Sequence, residues 1–233
     1  MPDGPGTGRP VVSDDGVAAV DGVGAVGGSD AVDGSVDAFR GLDETANAAL
    51  VRLARGTLEA ATGGRRSHGT DATAIPPLRL GAFVTLTIGG ELRGCMGRLD
   101  FDRWLADNVV AAAWSVASDP RFPPLRGEEL PLVRVEVSAI TAPVPIRSAD
   151  AFDVRRHGIV VERGWRRALL LPQVARERGW DARRTLRAVC EKAGMGPDDW
   201  RLQDVRLSVF VSHEALEAVS EEPAPALIAS IRP

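Results

Sequence analysis

The chain has 233 residues, two cysteines and a formal charge of −4. That length suits one or two domains, and roughly 180 residues folding together would bury about 70% of their unfolded surface without help from disulfides. Cys95 and Cys190 are too few and too far apart for a secreted disulfide scaffold. His68, His157 and His213 lack zinc-ligand spacing, so neither a structural metal nor a cofactor is expected. No apolar run approaches the roughly 20 residues of a membrane span. The N-terminus has neither the basic nor the apolar region of a secretory signal. A cytoplasmic protein without membrane contact is therefore expected.

The charge is unevenly placed. Residues 1–36 hold six Asp and one Arg, together with nine Gly and no Leu, Ile, Phe or Trp. Such a segment cannot bury enough apolar surface to offset its ordering, so residues 1–38 read as a disordered acidic tail. Beyond it the basic side chains are almost all arginine, with Lys192 the only lysine. They are scattered and matched by acids, so a nucleic-acid partner is not expected.

Taken in chain order, Asp43 caps an amphipathic helix that runs through Leu50, Leu53 and Leu58 to Gly63-Gly64. Residues 63–77 form a loop in which His68 is solvated. Two β-rich runs then flank Gly89-Gly90, a dipeptide that supplies the positive φ angles of a tight hairpin. On the returning strand, alternation places Arg93, Cys95 and Gly97 on one face and Leu92, Gly94 and Met96 on the other. A helix over 102–118, apolar nearly all round, stops at Asp119-Pro120. Val133, Val135, Val137 and Ala139 mark a half-buried strand. A second hairpin turns near Arg163-Gly164, and its return strand, Leu169 to Leu171, stops at Pro172. Asp181 caps a helix through Leu186, Val189 and Cys190 that Gly194 closes. Residues 197–200 make a short helical turn, the alternation from Val205 to Val211 makes a last strand, and residues 220–233 form a loose tail. This order gives the α+β class: a mixed or antiparallel sheet with packed helices in one domain over 39–219, with no βαβ alternation.

The hexamer Leu92-Arg93-Gly94-Cys95-Met96-Gly97 carries the strongest chemical signal. Two glycines inside a strand mark a bulge or a close approach by a ligand or another backbone. They would leave the Cys95 sulfur uncrowded, and Arg93 on the same face would favour the thiolate. A small buried hydrophobe is the competing reading of Cys95, as it is for Cys190 on its helix's apolar face. His157 reads either as a structural hydrogen-bonder or as a partner of Cys95. Asp119 and Arg121 either cap a loop, with Arg121 paired to Glu136, or line the same cleft as Cys95.

LRGCMG, DPRFPPL, RVEVSAIT, HGIVVERG, LLLPQVARERGWD and CEKAGMGPDDW follow one another as they do in the AMMECR-one domain family, and the chain resembles that family over roughly residues 42–215. Its prokaryotic members are called AmmeMemoRadiSam system protein A. The resemblance implies a two-lobed α+β fold with a cleft beside the LRGC strand, and association with a Memo-like protein and a radical-SAM protein. It maps the family's hexamer onto Leu92 to Gly97, with Met96 where Ile is usual, and its His-Gly pair onto His157 and Gly158. The resulting expectation is a thiol-dependent enzyme with Cys95 as nucleophile and His157 as base or orienter. Arg93, Gly94, Gly97, Asp119 and Arg121 would bind an unknown small molecule or peptide. The alternatives are a non-catalytic, substrate-presenting subunit of that system and, more weakly, an RNA-binding regulator.

Overall fold

The computed structural model describes residues 35–63 and 72–218. The expectations for the acidic tail up to residue 34, for His68 and for the segment 220–233 lie outside those residues. Ser35–Ala38, assigned to the tail from composition, form a single helical turn, α1. Phe39 follows it and packs on His213, with ring centroids 5.6 Å apart.

The elements that follow are α2 (Glu44–Ala61), β1 (Gly81–Ile88), β2 (Glu91–Arg98), α3 (Leu105–Val116), β3 (Arg134–Ile140), β4 (Val144–Ile146), β5 (Gly158–Arg163), β6 (Arg166–Leu170), α4 (Pro172–Arg178), α5 (Ala182–Lys192), β7 (Arg206–Phe210) and β8 (Ser212–Leu216). The strands form two four-stranded sheets, ordered β2-β1-β3-β8 and β4-β7-β5-β6. Every pairing in them is antiparallel. The fold is α+β.

Local chemistry explains the boundaries. The Asp43 carboxylate accepts the Ala46 N–H at 2.9 Å and starts α2, and Asp181 does the same for Arg184 at 2.7 Å before α5. Gly89 and Gly90 have φ of 58° and 85°, the pair of positive angles that a two-residue hairpin turn requires.

Each sheet has its own core. In the first lobe α2 and α3 cover one face of the first sheet, where Leu50, Leu58, Val84, Val109, Val135 and Val137 are buried together. In the second, α5 sets Leu186, Val189 and Cys190 on Ile159, Val161 and Val209. A third cluster joins the lobes: Phe83, Cys95 and Ile140 from the first sheet meet Val160, Leu169 and Phe210 from the second.

Three elements depart from the sequence reading. Pro172 ends the strand, as expected, but it also opens α4 as its first residue, where a missing N–H costs nothing. The expected last strand is two strands. Val211 separates β7 from β8, and the chain changes sheet there. The chain also changes sheet between β3 and β4, and the two crossings are tied together by Thr141 N–H to Val211 O, 3.1 Å. Alternation reports that a segment is a strand but not which sheet it joins. The third departure is in β2. Leu86 pairs with Gly94 but Thr87 pairs with Leu92, so Arg93 is an inserted residue, a β-bulge. Leu92 is thereby shifted to the face of Cys95, against the expected alternation, and packs on the cluster between the lobes.

Candidate functional site

Cys95 lies on the face of the first sheet that meets the second lobe. β2 is an edge strand, so its outward backbone groups need partners. The loop after α3 supplies them at Cys95. The Asp119 carboxylate accepts the Cys95 N–H at 2.9 Å, and the Arg121 guanidinium donates to the Cys95 carbonyl at 2.9 Å. Asp119 and Arg121 also pair with each other, at 2.7 and 3.0 Å, with side chains only 1% and 12% exposed. Burial alone would raise the Asp119 carboxyl. The Arg121 bonds and the Cys95 and Arg121 N–H groups outweigh it and hold the carboxyl below its usual range. The pairing of Arg121 with Glu136 expected from sequence is replaced by this bracket. Arg121 keeps one buried nitrogen, Nη1, without a hydrogen-bond partner.

Across the sheet, Cys95 faces Thr85, and Thr85 faces Glu136. Residues paired this way project to the same side, and the Thr85 hydroxyl donates to the Cys95 sulfur at 3.3 Å. Gln173, at the start of α4, reaches over this face to Ser138 Oγ at 2.9 Å and Glu136 at 3.2 Å. Burial pushes the Glu136 carboxyl up, and the neighbouring Glu214 adds to the rise. Lys192, at the end of α5, donates from Nζ to the Leu169 carbonyl at 2.8 Å, and its amine interacts with both Cys95 and Arg121. The sequence reading named neither Glu136 nor Lys192 as a site residue. The only signal for Lys192 was that it is the single lysine; for Glu136 it was an acid on the polar face of a half-buried strand.

Cys95 itself is 4% exposed. The uncrowded sulfur expected from its glycine neighbours is not found, because the space they leave is filled. A Cβ on Gly97 would overlap the Phe83 ring, and one on Gly94 would lie 3.0 Å from Val116 Cγ2 on α3. Burial raises the Cys95 thiol above its ordinary value. Thr85, Arg121 and Lys192 pull the other way, and Asp119 adds to the rise. The arginine beside the thiol is Arg121, not Arg93. As the bulged residue, Arg93 turns to the α3–β3 connection, where it binds Glu129 through two bonds, at 2.8 and 3.1 Å, and the Pro123 carbonyl at 3.0 Å.

His157 is buried just before β5. Its Nδ1 accepts the Asp153 N–H at 3.1 Å, so the ring proton sits on Nε2, which has no partner. Burial lowers its pKa, and the Asp153 carboxylate opposes that shift. The next residue, Gly158, is packed under the Phe210 ring, which belongs to the cluster around Cys95. The hydrogen bond and charges that define His157 come from the 153–156 turn, not from the thiol. A cavity of about 540 Å³ among Ile146, Arg147, Trp200, Arg201 and Arg206 lies in the second lobe and shares no residue with the Cys95 cluster. Among the described residues no group of three or more His, Cys, Asp or Glu side chains is arranged to hold a metal, and no helix is long and apolar enough to cross a membrane.

The family profile described as AMMECR1 matches residues 51–215. A protein of Methanosarcina acetivorans is 42% identical over 170 residues, which are 68% of this chain and 85% of the relative. One of Methanothermobacter thermautotrophicus is 42% identical over 178 residues, covering 72% and 93%. The crystal structure of an uncharacterized protein from Pyrococcus horikoshii is similar in fold, with a TM-score of 0.67, 36% identity and coverage of 75% of this chain and 92% of that one. With a profile match across most of its length and relatives 42% identical, this chain belongs to the AMMECR1, or AMMECR-one, family.

Proposed function

We propose that this chain is a thiol-dependent enzyme acting on a small substrate with an anionic group, with Cys95 as nucleophile at the junction of the lobes. The observation that carries this reading is the unpaired, buried Nη1 of Arg121, whose guanidinium is bonded to the Cys95 carbonyl. A buried donor left unsatisfied costs about 1–3 kcal/mol, and a carboxylate or phosphate oxygen bound there would offset that cost. Arg93 is already paired with Glu129 through two bonds, so the anion-binding role expected of it passes to Arg121. Glu136, whose carboxyl burial pushes above its ordinary range, stands on the same face as the thiol. His157 serves as an Nε2–H donor or orienter at the cleft wall rather than as a base, because its Nδ1 lone pair is occupied. The protein would work in the cytoplasm, in an AmmeMemoRadiSam-type system with a Memo-like and a radical-SAM protein.

A second reading follows from the burial of the thiol. A protonated, raised Cys95 suits a cleft that presents a ligand or peptide to those partners without chemistry of its own.

Native-state alkylation separates these readings. The folded protein is treated with iodoacetate and with iodoacetamide, each rate is scaled to glutathione, and Cys95 and Cys190 are resolved by peptide mapping. The enzyme reading expects Cys95 to be modified first, with a preference for the anionic reagent that Arg121→Gln abolishes. Selective labelling without a charge preference supports the presenting subunit. Labelling of both cysteines only upon unfolding makes Cys95 a core residue and removes the enzyme reading.

A further inference from the structure

The chain as a whole is acidic, with a formal charge of −4, yet the cavity in its second lobe is lined by three arginines and one acid: Arg147, Arg201, Arg206 and Asp150. Arg206 pairs with Glu162. Arg147 and Arg201 are exposed, and neither pairs with an acid among the described residues. Like charges around a concave wall of low dielectric focus a positive potential into it.

The walls come from two parts of the lobe. Ile146 ends β4 and Arg147 follows it, while a 3₁₀ turn at Asp199–Arg201 leads toward β7. That turn sets Trp200 against the second lobe's core and leaves the Arg201 guanidinium 4.6 Å from the centre of its ring. A guanidinium held over an aromatic ring keeps its N–H fork available to an acceptor. The next residue, Leu202, is 42% exposed although it is large and apolar, and it lines the cavity together with Ile146. Apolar surface beside unpaired cations, in a space of about 540 Å³, is what small-molecule sites present, and their volumes run from roughly 300 to 1,000 Å³. A strand from another chain is a poorer occupant. β4 is an edge strand, but it is three residues long and has Pro145, without an N–H, at its centre.

We propose that this cavity is a ligand site for a small organic oxyanion, a phosphate or carboxylate carried on an apolar body. Arg147 donates to the oxyanion from the end of β4 and Arg201 from the turn before β7, while Ile146 and Leu202 receive the apolar part. Arg206, held by Glu162, strengthens the field. The site shares no residue with the Cys95 cluster, so it stands or falls independently of the thiol reading.

The five tryptophans of the chain provide the reporter. Each gives one indole ¹H–¹⁵N resonance, and that of Trp200 is identified by its loss in Trp200→Phe. The full chain, at low ionic strength, is titrated with phenyl phosphate, benzoate, inorganic phosphate and benzyl alcohol. The Trp200 resonance should shift saturably with phenyl phosphate or benzoate, and the tighter of the two identifies the oxyanion. Inorganic phosphate lacks the apolar body and should bind about tenfold more weakly than phenyl phosphate. Benzyl alcohol should not saturate. Arg147→Gln and Arg201→Gln should each weaken the tighter anion about tenfold, the worth of one charge-assisted hydrogen bond. Arg52→Gln makes the same change of charge on α2, in the first lobe, and should leave the affinity nearly unchanged. The absence of a saturable Trp200 shift with either anion, or a shift that survives Arg147→Gln and Arg201→Gln together, overturns the assignment. So does saturation by benzyl alcohol as tight as by phenyl phosphate, which would make the cavity merely apolar. Inorganic phosphate binding as tightly as phenyl phosphate overturns the apolar half of the site, and an equal loss in Arg52→Gln would reduce the effect to net charge and overturn it as well.

Discussion

Cys95 and Cys190 are both buried free thiols, 4% and 0% exposed, and exposure alone makes them equivalent. Their neighbours do not. Cys190 sits on α5 in a cluster with Leu186, Val189 and Met195; burial pushes its thiol up to about 11, and the carboxylates of Asp199, Glu191 and Asp198 add to the rise. Cys95 is equally enclosed, yet a hydroxyl, a carboxylate, a guanidinium and an amine reach its sulfur, its backbone or its field. Ionisable groups are expensive to bury, and a fold that needed only a small hydrophobe at residue 95 would not need the buried Asp119–Arg121 pair beside it. What separates a candidate site from a core position here is the hydroxyl and the cations brought to one small residue, not its accessibility.

The strongest way to break this comparison is at Asp119. Its carboxylate holds Arg121 and the Cys95 N–H together, and Asp119→Ala would leave a buried guanidinium and a buried amide without that partner. Breaking such a pair costs about 3–5 kcal/mol, measurable as a fall in the urea midpoint. The pH dependence has a definite sign. Asp119 is held below its ordinary value of 3.8, so its contribution is complete above that pH and is lost as pH falls through the lower folded value. The stability gap between wild type and Asp119→Ala should therefore be constant at neutral pH and narrow in acid. A gap that stays constant into strong acid would show that the bracket is not ionic.

Much of the scaffold was legible because its signals are local. Asp43 and Asp181 cap helices, Gly89-Gly90 turns a hairpin, and the alternation from Val133 to Ala139 marks a strand; each rests on contacts within a few residues. The site was legible only in part. The hexamer drew attention to Cys95, but a single bulged residue turned Arg93 away from it, and no feature of the sequence fixes the position of a bulge. Asp119 and Arg121 were named, yet their partner turned out to be an edge of strand backbone, which has no side-chain signature. Glu136 joins the site through strand pairing, and Lys192 and Gln173 join it only through the packing of one lobe on the other.

A smaller effect is expected at Gly97, and it sharpens the reading of the glycines. Gly97→Ala would drive a methyl group into the Phe83 ring beside Cys95. Overpacking of this kind costs about 1–3 kcal/mol. Gly94→Ala should cost less, because Val116 Cγ2 at 3.0 Å is the end of a side chain. Equal denaturant midpoints for Gly97→Ala and wild type would mean that the ring gives way and that the cluster between the lobes is loosely packed.

The smallest expected effect isolates the thiol from the fold around it. The Thr85 hydroxyl donates to the Cys95 sulfur at 3.3 Å, and Thr85→Val removes that donor while keeping a branched side chain of similar shape. Stability should change by no more than the net worth of one hydrogen bond, about 0.5–1.5 kcal/mol. Reactivity should change in a fixed direction. The hydroxyl is one of the influences that lower the Cys95 pKa against burial, so its loss leaves the thiol higher and the thiolate fraction smaller at any given pH. Cys95 in Thr85→Val should therefore alkylate more slowly than in wild type across neutral pH, while labelling of Cys190, which has no contact with Thr85, stays as it was. Faster labelling of Cys95 would mean that Thr85 acts mainly as a steric plug over the sulfur. The polar neighbours would then guard the residue rather than activate it, and the contrast between the two cysteines would have to be redrawn on access instead of charge.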